Sequence, residues 1–219
     1  MKIAQCWDDG VTTDVRLVSL LRRHGACATF NLNAGLHARE RQFGWRHRDV
    51  EVWRLGRDEL REVYDGFSIA NHSLTHPHLD GLPIDAARRE ISDGRTQLQA
   101  LFDLPVPGFV YPFGAFDDAV AQAVREAGHV YARTTRSAAA GVETRDPMAA
   151  EPSCHFLAPD FWQRLERARP GGAFWFWGHS YELVDEAMWT AFEASLARLC
   201  AEPGVQWCNP ADFYYGEDP

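Results

Sequence analysis

The sequence has few of the features that mark secreted, disulfide-bonded or membrane proteins. Its five cysteines are widely spaced and include no Cys-x-x-Cys pair: Cys6, Cys27, Cys154, Cys200 and Cys208. This odd, scattered set argues against a disulfide framework and a zinc ribbon, and it indicates a reducing compartment. No segment approaches the roughly 20 apolar residues of a membrane-spanning helix, and no apolar signal region follows Lys2. We therefore expect a cytoplasmic protein without a membrane partner.

Positive charge is also scarce. The 219 residues include 22 basic and 31 acidic side chains, which gives a net charge of −9, and Lys2 is the only lysine. A phosphate backbone repels such a chain, so nucleic acid is not an expected partner. With 46% apolar and 24% charged residues, the composition predicts one globular domain over residues 1–219. The unusual excess is in nine histidines and eight tryptophans, which bind metals, transfer protons and stack on flat ligands.

Short apolar runs alternate with segments of helical period along most of the chain. Helices are predicted over about 13–24, 84–102, 117–127 and 185–200, each between apolar runs such as KIAQCW, GFSIAN, PGFVY and AFWFW. About seven such strands indicate an α/β fold, either a β/α barrel or a distorted relative. Two stretches, 36–55 and 137–158, lack a clear period. They are either loops over the open end of the barrel or solvated insertions.

Chemically reactive side chains follow several of these predicted strands. Asp8 and Asp9 precede Gly10 at the end of the first strand, where one carboxylate can bind a metal while the other acts as a base. His72 and His76 follow the strand GFSIAN, and this spacing suits shared ligation of an ion of the Zn²⁺ class. With Asp9 they give a site of two histidines and one carboxylate. Taken singly, each cluster is also explained as a turn or a helix start.

Two further clusters end later strands. Tyr111, Pro112, Phe113 and Gly114 form a turn whose backbone N–H groups are candidates to receive developing negative charge. His179 follows Trp177 and Gly178 at the end of AFWFW, where it can act as an acid or base opposite Asp8. A plain turn and a core histidine are the simpler alternatives. The ends of parallel strands meet on one face of a barrel, so four such clusters together favour an active site.

These motifs resemble the polysaccharide deacetylase family, the NodB-homology carbohydrate esterases of family 4. The family's T-F-D-D-G is similar to Cys6–Gly10, its H-[ST]-x-x-H-P to His72–Pro77, and its leucine-x-histidine element to Trp177–His179. The resemblance implies a distorted (β/α)7 barrel of NodB type. It also implies that Asp9, His72 and His76 bind the metal, that Asp8 is the base and that His179 is the acid.

The chain departs from the family at two motifs. The arginine of the family's R-P-P-Y-G, which pairs with the base, falls here on Val110, and Arg133 on the next strand is the candidate replacement. The Asp and Trp motif has no clear match between Ser137 and Ala158. For substrate contacts we expect Trp45, Trp53 and Tyr181 in addition to the turn at Tyr111, whereas Trp7, Trp175, Trp177 and Trp207 are expected in the core.

The leading functional hypothesis is a metal-dependent hydrolase that removes N-acetyl or O-acetyl groups from a saccharide. The expected cofactor is a divalent metal, Zn²⁺ first, with Co²⁺, Ni²⁺ or Mn²⁺ as alternatives. The expected partner is a small-molecule or oligosaccharide substrate, and the sequence leaves the oligomeric state open. Two alternatives remain. One is a hydrolase of non-sugar amide or ureide C–N bonds, and the other is a non-catalytic carbohydrate-binding relative.

Overall fold

The computed structural model describes residues 1–142 and 145–215. Ten strands occur in this part of the chain: β1 Lys2–Asp8, β2 Thr29–Leu32, β3 Gln42–His47, β4 Val50–Arg54, β5 Ser68–Asn71, β6 Gly108–Val110, β7 Tyr131–Arg133, β8 Cys154–His155, β9 Ala173–Gly178 and β10 Gln206–Cys208. Its six α-helices are α1 Asp14–His24, α2 Leu60–Val63, α3 Ile84–Phe102, α4 Asp118–Glu126, α5 Phe161–Ala168 and α6 Glu186–Ala201. None of these helices is long and apolar enough to cross a lipid bilayer.

Eight of the strands form one parallel sheet that curls into a distorted barrel. Seven follow the order β7-β6-β5-β2-β1-β9-β8, and β10 pairs with the first half of β1. Beyond the β7 edge, Arg133 forms a parallel bridge with Ala150, a few residues before β8. The predicted fold, an α/β barrel with about seven strands, is therefore confirmed. All four predicted helices are present within one residue of their expected ends, and α2 and α5 are additional ones.

Alternation along β1 separates side chains that face the helix layer from side chains that face the barrel interior. Ile3 and Trp7 pack toward the helix layer, in one cluster with residues of α1 and α6. Ala4 and Cys6 point the opposite way, into a cluster inside the barrel that includes Trp175. Because successive side chains of a strand face opposite sides, Asp8 follows Cys6 into the barrel interior. The core positions predicted for Trp7 and Trp175 are confirmed, since both are fully buried.

The stretch 36–55, predicted to lack regular structure, contains an antiparallel hairpin. β3 and β4 pair with a register shift between Phe43 and Trp45, and this irregularity breaks the alternation by which a strand is recognised in a sequence. The hairpin is fastened to the loop after β1, where the Thr12 N–H donates to the Trp53 carbonyl at 2.8 Å and the Leu55 N–H donates to the Gly10 carbonyl at 3.0 Å. It therefore lies beside the carboxylates that end β1.

Two buried histidines outside the predicted catalytic clusters couple folding to pH. His37 donates from Nδ1 to the Leu55 carbonyl at 2.8 Å, and burial lowers its pKa to about 4. Burial lowers the pKa of His129 to about 3, and its Nε2 accepts from the Asn71 amide at 3.3 Å. Both are therefore neutral in the folded protein at pH values where the unfolded chain binds protons.

We predict that these histidines weaken the fold as the pH drops from about 6.5 toward 4, because only the unfolded chain takes up their protons. Each adds a slope of about 1.4 kcal/mol per pH unit to the free energy of unfolding. Burial raises the pKa of Asp14 to about 7, so proton uptake by Asp14 stabilises the fold as the pH drops. A variant is therefore needed to separate the effect of one histidine from that of Asp14. Urea unfolding at pH 7.5 and 5.0 should show a smaller decrease for His129→Gln. Equal decreases in the two proteins would contradict this role.

Candidate active site

Asp8 is a buried carboxylate held by two donors. The Asn31 amide donates to Oδ1 at 2.6 Å, and the Arg133 guanidinium forms a hydrogen-bonded ion pair with Oδ2. Burial by itself raises the pKa of Asp8, but the charge of Arg133, helped by His72, His179 and the Asn31 amide, outweighs burial and lowers the pKa to about 2. Asp8 is therefore ionised at neutral pH and able to accept a proton.

The family's motif arginine is replaced by Val110 at the end of β6. Arg133 reaches Asp8 from the neighbouring strand, β7. In the parallel pairing of β6 with β7, Arg133 is the register partner of Val110. Paired residues of parallel strands project on the same face, so a side chain at either position points toward the barrel interior. The guanidinium lies over the Trp177 ring, 4.2 Å from its centre, and Arg133 is 1% exposed. Arg133, the candidate replacement for the missing arginine, therefore contacts Asp8.

Asp9, His72 and His76 form a cluster that can hold a metal ion. One potential ligand atom from each lies within 4.8 Å of the other two. His72 donates from Nδ1 to the Val110 carbonyl at 2.8 Å, which leaves Nε2 unprotonated and 3.1 Å from Nε2 of His76. Burial lowers the pKa of both histidines, to about 4 for His72, so both are neutral at pH 7. Neutral imidazoles beside a carboxylate are a donor set that fits Zn²⁺ and similar ions.

The local backbone explains how neighbouring residues take different roles. Asp9 and His76 have positive φ values of 85° and 61°, a region that residues other than glycine rarely occupy. These values turn Asp9 away from the strand direction followed by Asp8. Gly10 also has a positive φ, 66°, and a Cβ there would lie 2.6 Å from the His37 ring. The glycine of the Asp-Asp-Gly motif is therefore required both by conformation and by space.

His179 lies opposite the carboxylates at the end of β9. Its Nε2 is 3.9 Å from Oδ2 of Asp8 and 3.9 Å from Oδ2 of Asp9, while Nδ1 is 3.1 Å from Oε2 of Glu182. Burial tends to lower the pKa of His179, but the hydrogen bond to Glu182 and the charges of Asp8 and Asp9 raise it overall. A histidine favoured in its protonated form beside the site can serve as a proton donor.

The clusters line one cavity of about 290 Å³. Nine of the predicted residues border it together with Thr135 and Trp177: Asp8, Asp9, His72, His76, Tyr111, Phe113, Arg133, His179 and Tyr181. Trp177 was expected in the core, but it is half-buried and forms part of the cavity wall. Trp207, also expected in the core, is half-buried and packs against the edge of the core.

Five residues predicted to contact the substrate are placed differently from the expectation. The N–H of Tyr111 donates to the Arg133 carbonyl at 3.1 Å, so it is occupied within the sheet and does not face a substrate. Trp45 packs edge-on against Tyr181, with ring centres 5.2 Å apart, and so supports the cavity wall from behind. Trp53 is 39% exposed and contacts Phe43 on the hairpin. Pro112 and Gly114 belong to the same turn as Phe113 but do not border the cavity.

Other site residues were missed because their partners are distant in sequence. Asn31 is the register partner of Asp8 in the pairing of β1 with β2, and its polar side chain within an apolar run was the available signal. Arg54, at the end of the hairpin, donates to the Asp9 carbonyl at 2.8 Å. His155, which no local motif marks, meets Glu182 beside His179.

Sequence comparison decides the family. A model of the polysaccharide deacetylase family matches residues 1–132, more than half of the chain. The chain belongs to the polysaccharide deacetylase family. The matched region contains the first three motifs, up to β7, while His179 lies beyond it. No curated protein sequence matches the chain.

Solved structures support the same fold at low sequence identity. A Mycobacterium smegmatis protein assigned to the polysaccharide deacetylases has a TM-score of 0.70 and 16% identity, over 97% of this chain and 88% of the other. The family 4 carbohydrate esterase from Streptomyces lividans, solved with acetate, has a TM-score of 0.61 and 18% identity, over 95% and 91%. The deacetylase PplD from Streptococcus pyogenes, also solved with acetate, gives 0.61 and 18%, over 74% and 68%. By contrast, the chain spans only 44% of a Bacillus cereus polysaccharide deacetylase.

We predict that removing any one ligand of the cluster releases the metal. Asp9→Ala, His72→Ala and His76→Ala should each retain far less zinc than the wild type after dialysis, because two donors cannot hold the ion against water. Zinc content measured by mass spectrometry tests this. Asp8→Asn should keep its zinc, and Asp80→Ala is a matched control, since Asp80 is an exposed carboxylate 4.0 Å from His78. Zinc retained by all three ligand variants would rule out this cluster.

Proposed function

We propose that the protein is a metal-dependent hydrolase that removes an acetyl group from an amino or hydroxyl group of a saccharide. The observation that carries the proposal is the convergence, in one cavity, of an ionised base, a three-donor metal cluster and a histidine with raised pKa. These are the parts that hydrolysis of an amide or ester requires. Membership of the deacetylase family supports the choice of an acetylated sugar.

The metal would be held by Asp9, His72 and His76. When bound, a divalent ion supplies Lewis acidity, which polarises an acyl oxygen and makes water easier to deprotonate. The hydrogen bond from His72 to Val110 keeps the His72 Nε2 lone pair directed at the site. Arg54 donates to the Asp9 carbonyl at 2.8 Å and so fixes the backbone that carries the third ligand.

Asp8 acts as the base. Its two oxygens are fixed by Asn31 and Arg133, so the carboxylate does not need to reorganise before it accepts the proton of the attacking water. Because its pKa is lowered to about 2, Asp8 stays ionised across the neutral range. The positive charge of Arg133 thereby maintains the base in its active form.

His179 acts as the acid. Nδ1 is hydrogen-bonded to Glu182, so Nε2, which faces Asp8 and Asp9, is the atom that donates a proton to the departing group. An amine leaves poorly without that proton, whereas an alcohol leaves more easily. The acid is therefore more important for an N-acetyl substrate than for an O-acetyl one.

The cavity rim offers flat surfaces suited to a sugar ring. Phe113 is 56% exposed and stacks on His78, with ring centres 4.0 Å apart and planes 10° from parallel. Tyr181 also borders the cavity, backed by Trp45. Aromatic faces pack against the apolar faces of neutral sugars. The net charge of −9 repels polyanionic substrates but has no such effect on the binding of a neutral saccharide.

The fold alone does not distinguish an enzyme from a non-catalytic relative. One solved structure of the same fold, described as a family 4 pseudoenzyme, has a TM-score of 0.60 and 17% identity. The case for activity in this chain therefore depends on its own residues. Base, acid and all three metal ligands are present, which favours a working enzyme.

We predict that the zinc-loaded protein releases acetate from N-acetylglucosamine oligosaccharides. Asp8→Asn and His179→Gln should each lower turnover by about 100-fold or more, the usual contribution of an acid or base. Acetate measured by an enzyme-coupled assay, with zinc content measured in parallel, tests this. Full activity in metal-free protein, or in either variant, would contradict the mechanism.

Arg133 should control the pH range of activity. In Arg133→Met the loss of the positive charge raises the pKa of Asp8, so activity should disappear at a higher pH on the acid side than in the wild type. Zinc content should be unchanged, because Arg133 contacts the base and not the metal ligands. Arg133→Lys, which keeps the charge, should restore part of the acid-side activity. Superimposable pH profiles for wild type and Arg133→Met would show that Arg133 does not tune the base.

A further inference from the structure

A second histidine lies behind the proposed acid and shares its carboxylate. Oε2 of Glu182 lies 3.1 Å from Nδ1 of His179 and 3.0 Å from its main-chain nitrogen, and Nε2 of His155 lies 2.9 Å away on the other side. A single carboxylate oxygen is therefore contacted by three nitrogens. His155 itself does not border the catalytic cavity, so it has no direct contact with a substrate there.

The hydrogen bonds of His155 fix its protonation pattern. Its Nδ1 accepts from the Leu157 N–H at 3.2 Å, so in the neutral ring the proton is on Nε2. That proton points at Glu182, and His155 is therefore a donor to the carboxylate. Burial alone raises the pKa of Glu182, but the hydrogen bonds from His155 and His179 lower it overall, which keeps the carboxylate ionised.

The strand arrangement brings His155 and Glu182 together beside His179. His155 is the register partner of Trp177 in the pairing of β8 with β9, two residues before His179. Glu182 returns to His179 through a single 3₁₀ turn, Ser180–Glu182. Gly178 permits the close approach, because a Cβ there would lie 2.1 Å from the Phe156 ring and 3.3 Å from Nε2 of His155.

We propose that His155 is a positioning residue for proton donation, acting through Glu182 on His179. By holding Oε2 of Glu182 in place, His155 keeps the carboxylate on Nδ1 of His179 and so directs Nε2 of His179 toward the departing group. This inference rests on the proposed function, in which His179 is the acid. Hydrogen-bond partners that orient the histidine ligands of metal sites typically contribute about 10- to 100-fold, and we expect an effect of the same order here.

The same three residues could instead hold a second cation. One potential ligand atom from each of His155, His179 and Glu182 lies within 4.8 Å of the others. The observed contacts favour the hydrogen-bonded arrangement, because separations of 2.9 and 3.1 Å are ordinary hydrogen-bond distances that satisfy all three groups without an ion. A second bound metal is therefore an outcome that would overturn the inference.

The experiment compares two substrates with different needs for an acid. Release of acetate from N-acetylchitotetraose requires protonation of an amine, whereas 4-nitrophenyl acetate has a leaving group that departs without a proton. In the zinc-loaded protein, His155→Phe should lower kcat on the tetrasaccharide about 10-fold or more with little change in KM. Hydrolysis of the nitrophenyl ester should change less than about 2-fold. His155→Gln, which keeps an N–H donor, should recover part of the loss.

A matched control and two independent readouts make the result decisive. His24 forms another histidine–glutamate contact, 3.5 Å from Glu193 and remote from the cavity, so His24→Phe should leave both rates unchanged. Nitrogen NMR of the zinc-loaded protein should show His155 protonated at Nε2, and His155→Phe should weaken the hydrogen bond at Nδ1 of His179. Equal losses on both substrates, no loss on either, or release of a second equivalent of zinc by His155→Phe would overturn the inference.

The outcomes separate this inference from the proposed function. If the wild-type protein releases no acetate from the tetrasaccharide, the proposed deacetylase activity on this substrate is refuted. The NMR measurements would still decide whether His155 orients His179. Unchanged His179 signals in His155→Phe would overturn the positioning role even in an active enzyme.

Discussion

A buried ion pair between Asp8 and Arg133 connects opposite sides of the barrel. Asp8 ends β1, in the interior of the sheet, and Arg133 ends the edge strand β7, four positions away. Both side chains are almost completely buried, so each charge needs the other to offset the cost of its burial. Removing one partner of such a pair typically lowers the free energy of unfolding by about 3–5 kcal/mol. The contact between β1 and β7 across the barrel and the ionisation of Asp8 thus depend on the same ion pair.

Two adjacent carboxylates acquire different chemistry from their surroundings. Asp8 faces Asn31 and Arg133, which stabilise its charge, whereas Asp9 turns through a positive φ toward the two histidines of the metal cluster. His179 lies within 3.9 Å of both carboxylates and takes its orientation from Glu182. Sites of this kind assign acid and base roles by environment rather than by residue type. Here strand register and a few strained backbone positions supply that environment.

The sequence predicted those parts of the fold that depend on local pattern. The α/β barrel, the helix ends and the grouping of Asp8, Asp9, His72, His76 and His179 at strand ends follow from periodicity and from the ordered motifs. The hairpin of β3 and β4 was missed because an irregularity breaks its alternation, and His155 because its partner Glu182 is 27 residues away. The N–H of Tyr111, expected to be free for a substrate, donates instead to the Arg133 carbonyl. The sequence did not predict this hydrogen bond because it depends on the pairing of β6 with β7.

A double-mutant cycle on Asp8 and Arg133 measures how much their ion pair stabilises the fold. The free energies of unfolding of wild type, Asp8→Asn, Arg133→Met and the double variant give the coupling between the two side chains. We expect a coupling of several kcal/mol, with the double variant far more stable than the sum of the single losses implies. Additive losses, or single variants as stable as the wild type, would show that the ion pair does not stabilise the barrel.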